Sequence, residues 1–182
     1  MDDEQSDITL KQMLGPYVAH PAMRAIVVLN NCAATLLVVN KLREIAAKDG
    51  VELTWNQNQL SLISGSGNGG VRPPDCPVGA AHSQHKNGNG LDGCDIDQSF
   101  MRWCLANLDV LRNLGVWLEH PQWTPHWTHM QRVAPVGWHD GDPMVFLPYN
   151  PNATPPTCAA LPELKSAGIA TYAFPAVPHH PV

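Results

Sequence analysis

The feature that most restricts this fold is a set of three side chains that metal chemistry wants together and the chain keeps apart. His85 and Asp92 stand seven residues from one another in a stretch punctuated by Gly88 and Gly90, and His129 follows far downstream in His126-Trp127-Thr128-His129. Two imidazole nitrogens and one carboxylate oxygen form the donor set of an open tetrahedral zinc site, which keeps a fourth position for water or substrate. A fold that uses them so must lay residues 85–92 beside residue 129. The expectation is a catalytic metal centre, and with it hydrolytic chemistry.

Composition narrows the partners. The chain has 182 residues, 44% of them hydrophobic, which suits one domain with a real core and a tail. Its formal charge of -5 argues against nucleic acid, whose phosphates demand a basic surface. It offers no polybasic patch for a membrane but leaves a cell-wall polymer open as substrate. The cysteines, Cys32, Cys76, Cys94, Cys104 and Cys158, are odd in number and include no C-x-x-C pair. A disulfide framework and a cysteine-rich zinc site are both disfavoured, and synthesis in a reducing compartment is expected.

The start, Met1-Asp2-Asp3-Glu4, has neither the positive residues nor the apolar run of a secretory signal. Cytoplasmic synthesis without a signal peptide is therefore expected, with release needed for any action elsewhere. Residues 25–39 are the most apolar stretch; Asn30 and Asn31 interrupt it, and it falls short of the roughly 20 residues a bilayer requires.

Periodicity places the elements. Thr9 is a candidate cap for a short helix over residues 10–14. Residues 23–48 read as a helix, because Val28, Cys32, Leu36, Val39, Arg43 and Ala46 step at three or four residues, and the helix is expected to pack on a sheet. A second helix is expected over residues 100–114, with Asp97 or Ser99 as its cap and Gly115 as its stop. Strands are expected at residues 60–64, 116–119, 127–131 and 144–147. In a strand, Trp127, His129 and Gln131 share a face. Nine of the 17 prolines lie from Pro143 onward. Residues 1–148 are thus expected to form one α+β domain, with helices packed on a small, mainly antiparallel sheet. Residues 149–182 are expected as a proline-rich extended tail, wrapping the domain, a neighbouring subunit or a virion partner. The glycines at positions 65, 67, 69 and 70 do not make a phosphate loop, because no G-K-[ST] follows them.

Ser83, His85, Gly88 and Asp92 match the pattern S-x-H-x-x-G-x-A-x-D, with Gly90 in place of the alanine, and Trp127 and His129 match W-x-H. These paired signatures resemble those of the zinc D-Ala-D-Ala peptidases, a group that also holds lysostaphin-type enzymes and the hedgehog signalling domain. Ile63-Ser64-Gly65 with a delayed Arg72 resembles the strand that ends S-G-Y-R in that family. Glu119 and the run Thr124-Pro125-His126-Trp127-Thr128-His129-Met130-Gln131 resemble a phage and prophage branch. The likeness spans about residues 8–148.

The resemblance implies Zn²⁺ held by His85, Asp92 and His129, with Ser83 and Arg72 binding or polarising a peptide. It implies a peptidoglycan peptidase, endopeptidase or carboxypeptidase, of endolysin-like or virion-associated type. The better-known members carry Glu three residues before the last ligand, where this chain has His126. Three expectations stay open: His126 as the base, Glu119 reaching in from the neighbouring strand, or a catalytically weak module that binds zinc and serves a structural role in a virion. Asp95 is a rival to Asp92, and an acid not used as a ligand is expected to cap a helix or support a ligand. Trp117, Trp123, Trp127 and Trp138 gather near the second signature as core anchors or as a cleft wall.

Overall fold

The computed structural model describes residues 7–79, 82–135 and 138–146. The expected tail, residues 149–182, lies outside the described residues. Four helices and a mixed four-stranded sheet make an α+β fold: α1 (Leu10–Leu14), α2 (Ile26–Ala47), β1 (Gly90–Cys94), α3 (Ser99–Ala106), α4 (Leu108–Leu114), β2 (Trp117–Glu119), β3 (Trp127–Gln131) and β4 (Val145–Phe146).

Local chemistry sets the helix ends. Thr9 caps α1 as expected: its hydroxyl accepts from the Gln12 amide, and the Gln12 side chain accepts from the Thr9 amide at 2.8 Å, a reciprocal capping box. Pro21 opens a 3₁₀ turn, Pro21–Arg24, so α2 begins only at Ile26. The buried residues of α2 are Cys32, Thr35, Leu36, Val39, Leu42, Arg43 and Ala46, which is nearly the stripe the spacing singles out. Its main neighbours are α1, α3, α4 and the 3₁₀ turn, not the sheet. Polar atoms on and beside this stripe tie α2 to other elements. Thr35 Oγ1 donates to the Gly88 carbonyl at 2.8 Å, and Asn40 exchanges two hydrogen bonds with the Ile8 backbone ahead of α1. As a helix of 22 residues, α2 is by length and composition alone long enough to cross a bilayer, longer than its apolar run suggests.

Three elements depart from expectation. The helix expected over residues 100–114 is two helices, α3 and α4, broken at Asn107 (φ -125°, ψ 46°). The Asn107 side chain donates to the Trp103 carbonyl at 2.8 Å, competing with the backbone for a helical acceptor. The strand expected at residues 60–64 is reduced to isolated bridges, Asn56 with Ser61 and Ile63 with Gly93. Leu60 takes a left-handed φ of 47° that ends extension on one side. Conversely, residues 90–94 form β1 despite Gly90 and Gly93. Leu53 packs so close to Gly93 that an added Cβ would sit 2.7 Å from its Cδ1, so the absent side chain is what lets the strand lie there.

The sheet order is β1-β3-β2-β4. β3 pairs antiparallel with both β1 and β2, while β4 runs parallel to β2, so the sheet is mixed. The segment from β3 to β4 must therefore pass around β2, and Trp138 within it packs edge-on against Trp117 at 5.3 Å. Register divides the two faces. Leu91, Met130, Leu118 and Val145 form one row across all four strands, each fully buried. Burying each of these side chains contributes roughly 1.5–3 kcal/mol. The adjacent row, on the opposite face, carries Asp92, His129 and, by one further step of the β2–β3 register, Glu119, which pairs in turn with Phe146.

Candidate metal centre

Antiparallel pairing seats Asp92 directly opposite His129, so their side chains rise from neighbouring strands on one face. His85 arrives from the 3₁₀ turn Gln84–Asn87, which Gly88 closes at φ 75°. The three donor atoms meet. His129 Nδ1 lies 2.7 Å from Asp92 Oδ1, His85 Nε2 lies 3.1 Å from His129 Nδ1, and His85 Nε2 lies 3.2 Å from Asp92 Oδ1. Ligand bonds of about 2.0–2.1 Å at tetrahedral angles put donor atoms about 3.3 Å apart, so small outward shifts of these side chains would admit a metal ion. His85, Asp92 and His129 are the group among the described residues that could hold one.

Each ligand is oriented by a partner on its other side. The Gly70 carbonyl lies 2.7 Å from His85 Nδ1, which puts the ring proton there and leaves Nε2 to face the cluster. Gly70 is needed for this approach, because a Cβ would collide with the Met13 carbonyl. Asp92 turns Oδ2 toward Arg72 Nη2 at 3.4 Å and keeps Oδ1 for the cluster. Supports of this kind fix ligand geometry around a metal.

Electrostatics follow from that crowding. Burial pushes His85 down, so its ring is neutral near neutral pH. Burial alone would raise Asp92, but the two imidazoles outweigh it and hold the carboxyl well below the usual range. His129 is the reverse case: burial opposes its charge, and the Asp92 hydrogen bond and charge more than offset that and raise its pKa. Burial raises Glu119, with Asp92 adding to the effect and His129 opposing it.

The fates of the other expected residues differ. Arg72 joins the cluster as the ion-pair partner of Asp92, and its guanidinium also donates to the Asn68 carbonyl at 2.6 Å and the Val78 carbonyl at 3.4 Å. Ser83 stands near it. A Cβ at Gly79, where φ is 82°, would strike Arg72 Nη1 and lie 3.7 Å from Ser83 Oγ. Glu119 stands in the ligand row. His126 does not reach the cluster: its side chain is exposed and its backbone carbonyl accepts from the Asp95 amide at 3.2 Å. The position opposite Asp95 belongs to the other face of the sheet.

Asp95 is on that other face as well, which removes it from the ligand set. Its carboxylate accepts from Thr128 Oγ1 at 2.7 Å and from the Met101 and Phe100 amides at 2.8 and 3.2 Å. It therefore shares the capping of α3 with Asp97, one of the two caps expected from residue spacing, which accepts from the Ser99 amide at 3.0 Å. Two supports of the site were missed from sequence. The Gly70 carbonyl leaves no side-chain signal. Phe146, whose ring meets that of His129 edge-on at 6.2 Å, could be placed only with the strand order in hand.

Comparison with protein-family models, curated proteins and solved structures finds no match to this chain.

Proposed function

We propose that this chain is a zinc-dependent peptidase that hydrolyses a peptide bond in the stem or cross-bridge of peptidoglycan, on a scaffold of the D-Ala-D-Ala peptidase and hedgehog kind. The observation that carries this reading is the convergence of His85, Asp92 and His129, with donor atoms 2.7 to 3.2 Å apart. Two imidazoles and one carboxylate suit zinc better than the harder oxygen-seeking cations. Zinc held there supplies Lewis acidity toward a peptide carbonyl and lowers the pKa of water.

The chain's own groups do the rest. Arg72 holds Asp92 so that one carboxylate oxygen is presented to the cluster. Glu119 takes the proton of the attacking water and hands it to the leaving amine, a role that a raised carboxyl pKa suits. Ser83, in the loop beside Arg72, binds the peptide backbone of the substrate. The protein acts at the cell wall, as an endolysin-like or virion-associated enzyme. Zinc-loaded protein is expected to clear purified cell wall in a zymogram, and chelator is expected to abolish clearing. Absence of lysis at every pH tested, with zinc stoichiometric, removes the peptidase.

A second reading, a zinc-stabilised binding or virion module without turnover, draws on His126. That residue stands where the family carries its acid, and it faces solvent. Full zinc loading with no lysis from the native chain would select this reading.

A further inference from the structure

Resting on the zinc reading above, we propose that Gln131 is the positioning residue that fixes which nitrogen of His129 faces the metal. Gln131 sits in the middle strand of the β1–β3–β2 ladder, opposite Gly90 on one side and Trp117 on the other. Its side chain is only 5% exposed, yet both polar atoms are satisfied within the protein. The amide nitrogen donates to the Val133 carbonyl at 2.6 Å, which settles the amide's orientation: the nitrogen is committed, so the oxygen is the atom 3.3 Å from His129 Nε2. An amide oxygen only accepts, so the proton must reside on His129 Nε2. Nδ1 is then the free donor atom, and Nδ1 is the atom that meets Asp92 and His85.

The two imidazoles thus present different nitrogens, and different devices set them. For His85 the device is a main-chain carbonyl, which no substitution at position 70 can delete. For His129 it is a side chain, which a single substitution removes. Gly90 helps by leaving the opposite position empty: a Cβ there would press on His129 Cε1 at 3.2 Å. Gln131 is also a neutral acceptor, so Asp92 is the one anion of the ligand set. A carboxylate at 131 would keep the acceptor toward His129 Nε2 but lose the donor to the Val133 carbonyl.

The test uses the full chain, Zn²⁺ as probe, and the variants Gln131→Leu and Gln131→Glu. Zinc affinity is measured by competition with a chromogenic chelator. The ring proton on His129 Nε2 is followed by ¹H–¹⁵N correlation in the zinc-loaded protein. Gln131→Leu is expected to weaken zinc by roughly ten- to a hundredfold and to lose the slowly exchanging Nε2 proton. Gln131→Glu, which keeps the acceptor but not the donor to Val133, is expected to retain the Nε2 proton that Gln131→Leu loses, although both side chains fill the site. Zinc affinity of Gln131→Leu within twofold of native, with the ring proton retained, overturns the proposal. Should Gln131→Leu fail to fold, the native zinc-loaded chain decides: a His129 ring proton on Nδ1 rather than Nε2 overturns the proposal. A native chain that takes up no zinc overturns the zinc reading itself, whereas native uptake unaffected by both variants overturns only the role of Gln131.

Discussion

Asp92 and Asp95 lie three residues apart and live on opposite sides of one small sheet. Asp92 faces two imidazoles, which hold its carboxyl low against its burial, and the Arg72 guanidinium. Asp95 faces a hydroxyl and two amides in the core, and burial pushes its carboxyl up. The same side chain is a candidate metal ligand on one face and a helix cap on the other. What separates them is pleat parity, since an odd step along extended chain changes face. Glu119 and His126 divide in the same way: one stands in the ligand row, and the other pairs through its backbone with Asp95. The ligand face is stocked with groups that titrate or coordinate, and the other face with groups that only hold.

That contrast can be broken experimentally. The largest effect is expected for turnover: Glu119→Gln should lower cell-wall hydrolysis by roughly 10²- to 10⁴-fold with zinc retained, while His126→Ala stays within about twofold of native. Equal losses from the two would erase the distinction between the faces. Next, Asp95→Ala strips the acceptor from three buried donors and should cost about 3 kcal/mol in urea unfolding, with one zinc still bound per folded chain. Asp92→Ala is the mirror case. It should weaken zinc by at least about a hundredfold, or roughly 2.7 kcal/mol, where Asp95→Ala leaves zinc bound. If elemental analysis finds Asp92→Ala fully loaded and Asp95→Ala empty, the faces have been assigned backwards.

The smallest effect is on pH dependence. In the metal-free site, Asp92 is already ionised and His85 already neutral near pH 7. His129, its pKa raised through Asp92, is the one whose extra proton zinc must displace at pH values below that pKa. Zinc affinity should therefore climb with pH, by about tenfold per unit below the folded pKa of His129, and level off above it. Calorimetry in buffers of different ionisation enthalpy should count close to one proton released per zinc at pH values below that point. Release of two protons would mean that His85 is charged as well.

Much of the site was legible in the sequence because its signals are local. His85, Asp92 and His129 fall within two short signatures, and the alternation through Trp127-Thr128-His129-Met130-Gln131 matched β3 residue for residue. The Thr9 cap and the buried stripe of α2 follow from equally short-range patterns. What failed was decided elsewhere in the chain. β1 is hidden by Gly90 and Gly93, which weaken a strand locally and are required by Leu53 and His129 pressing from outside it. The break at Asn107 depends on one side chain choosing a backbone carbonyl. The position of Glu119 relative to His126 depends on the pairing of β2 with β3, and the parallel placement of β4 on a connection that skips a strand. No periodicity within a single segment encodes these.

Because Asp92 is set opposite His129 by register alone, the tolerance of this chain to insertions and deletions should be sharply uneven. Residues 95–116, between β1 and β2, form an excursion that leaves the sheet and returns to it, so lengthening a turn there would leave the facing pair intact. Loss of one residue inside 90–94 would instead bring Leu91 or Gly93 to the place across from His129, abolishing coordination without removing a single ligand from the gene. Natural variants of differing length should therefore differ between the strands rather than within them.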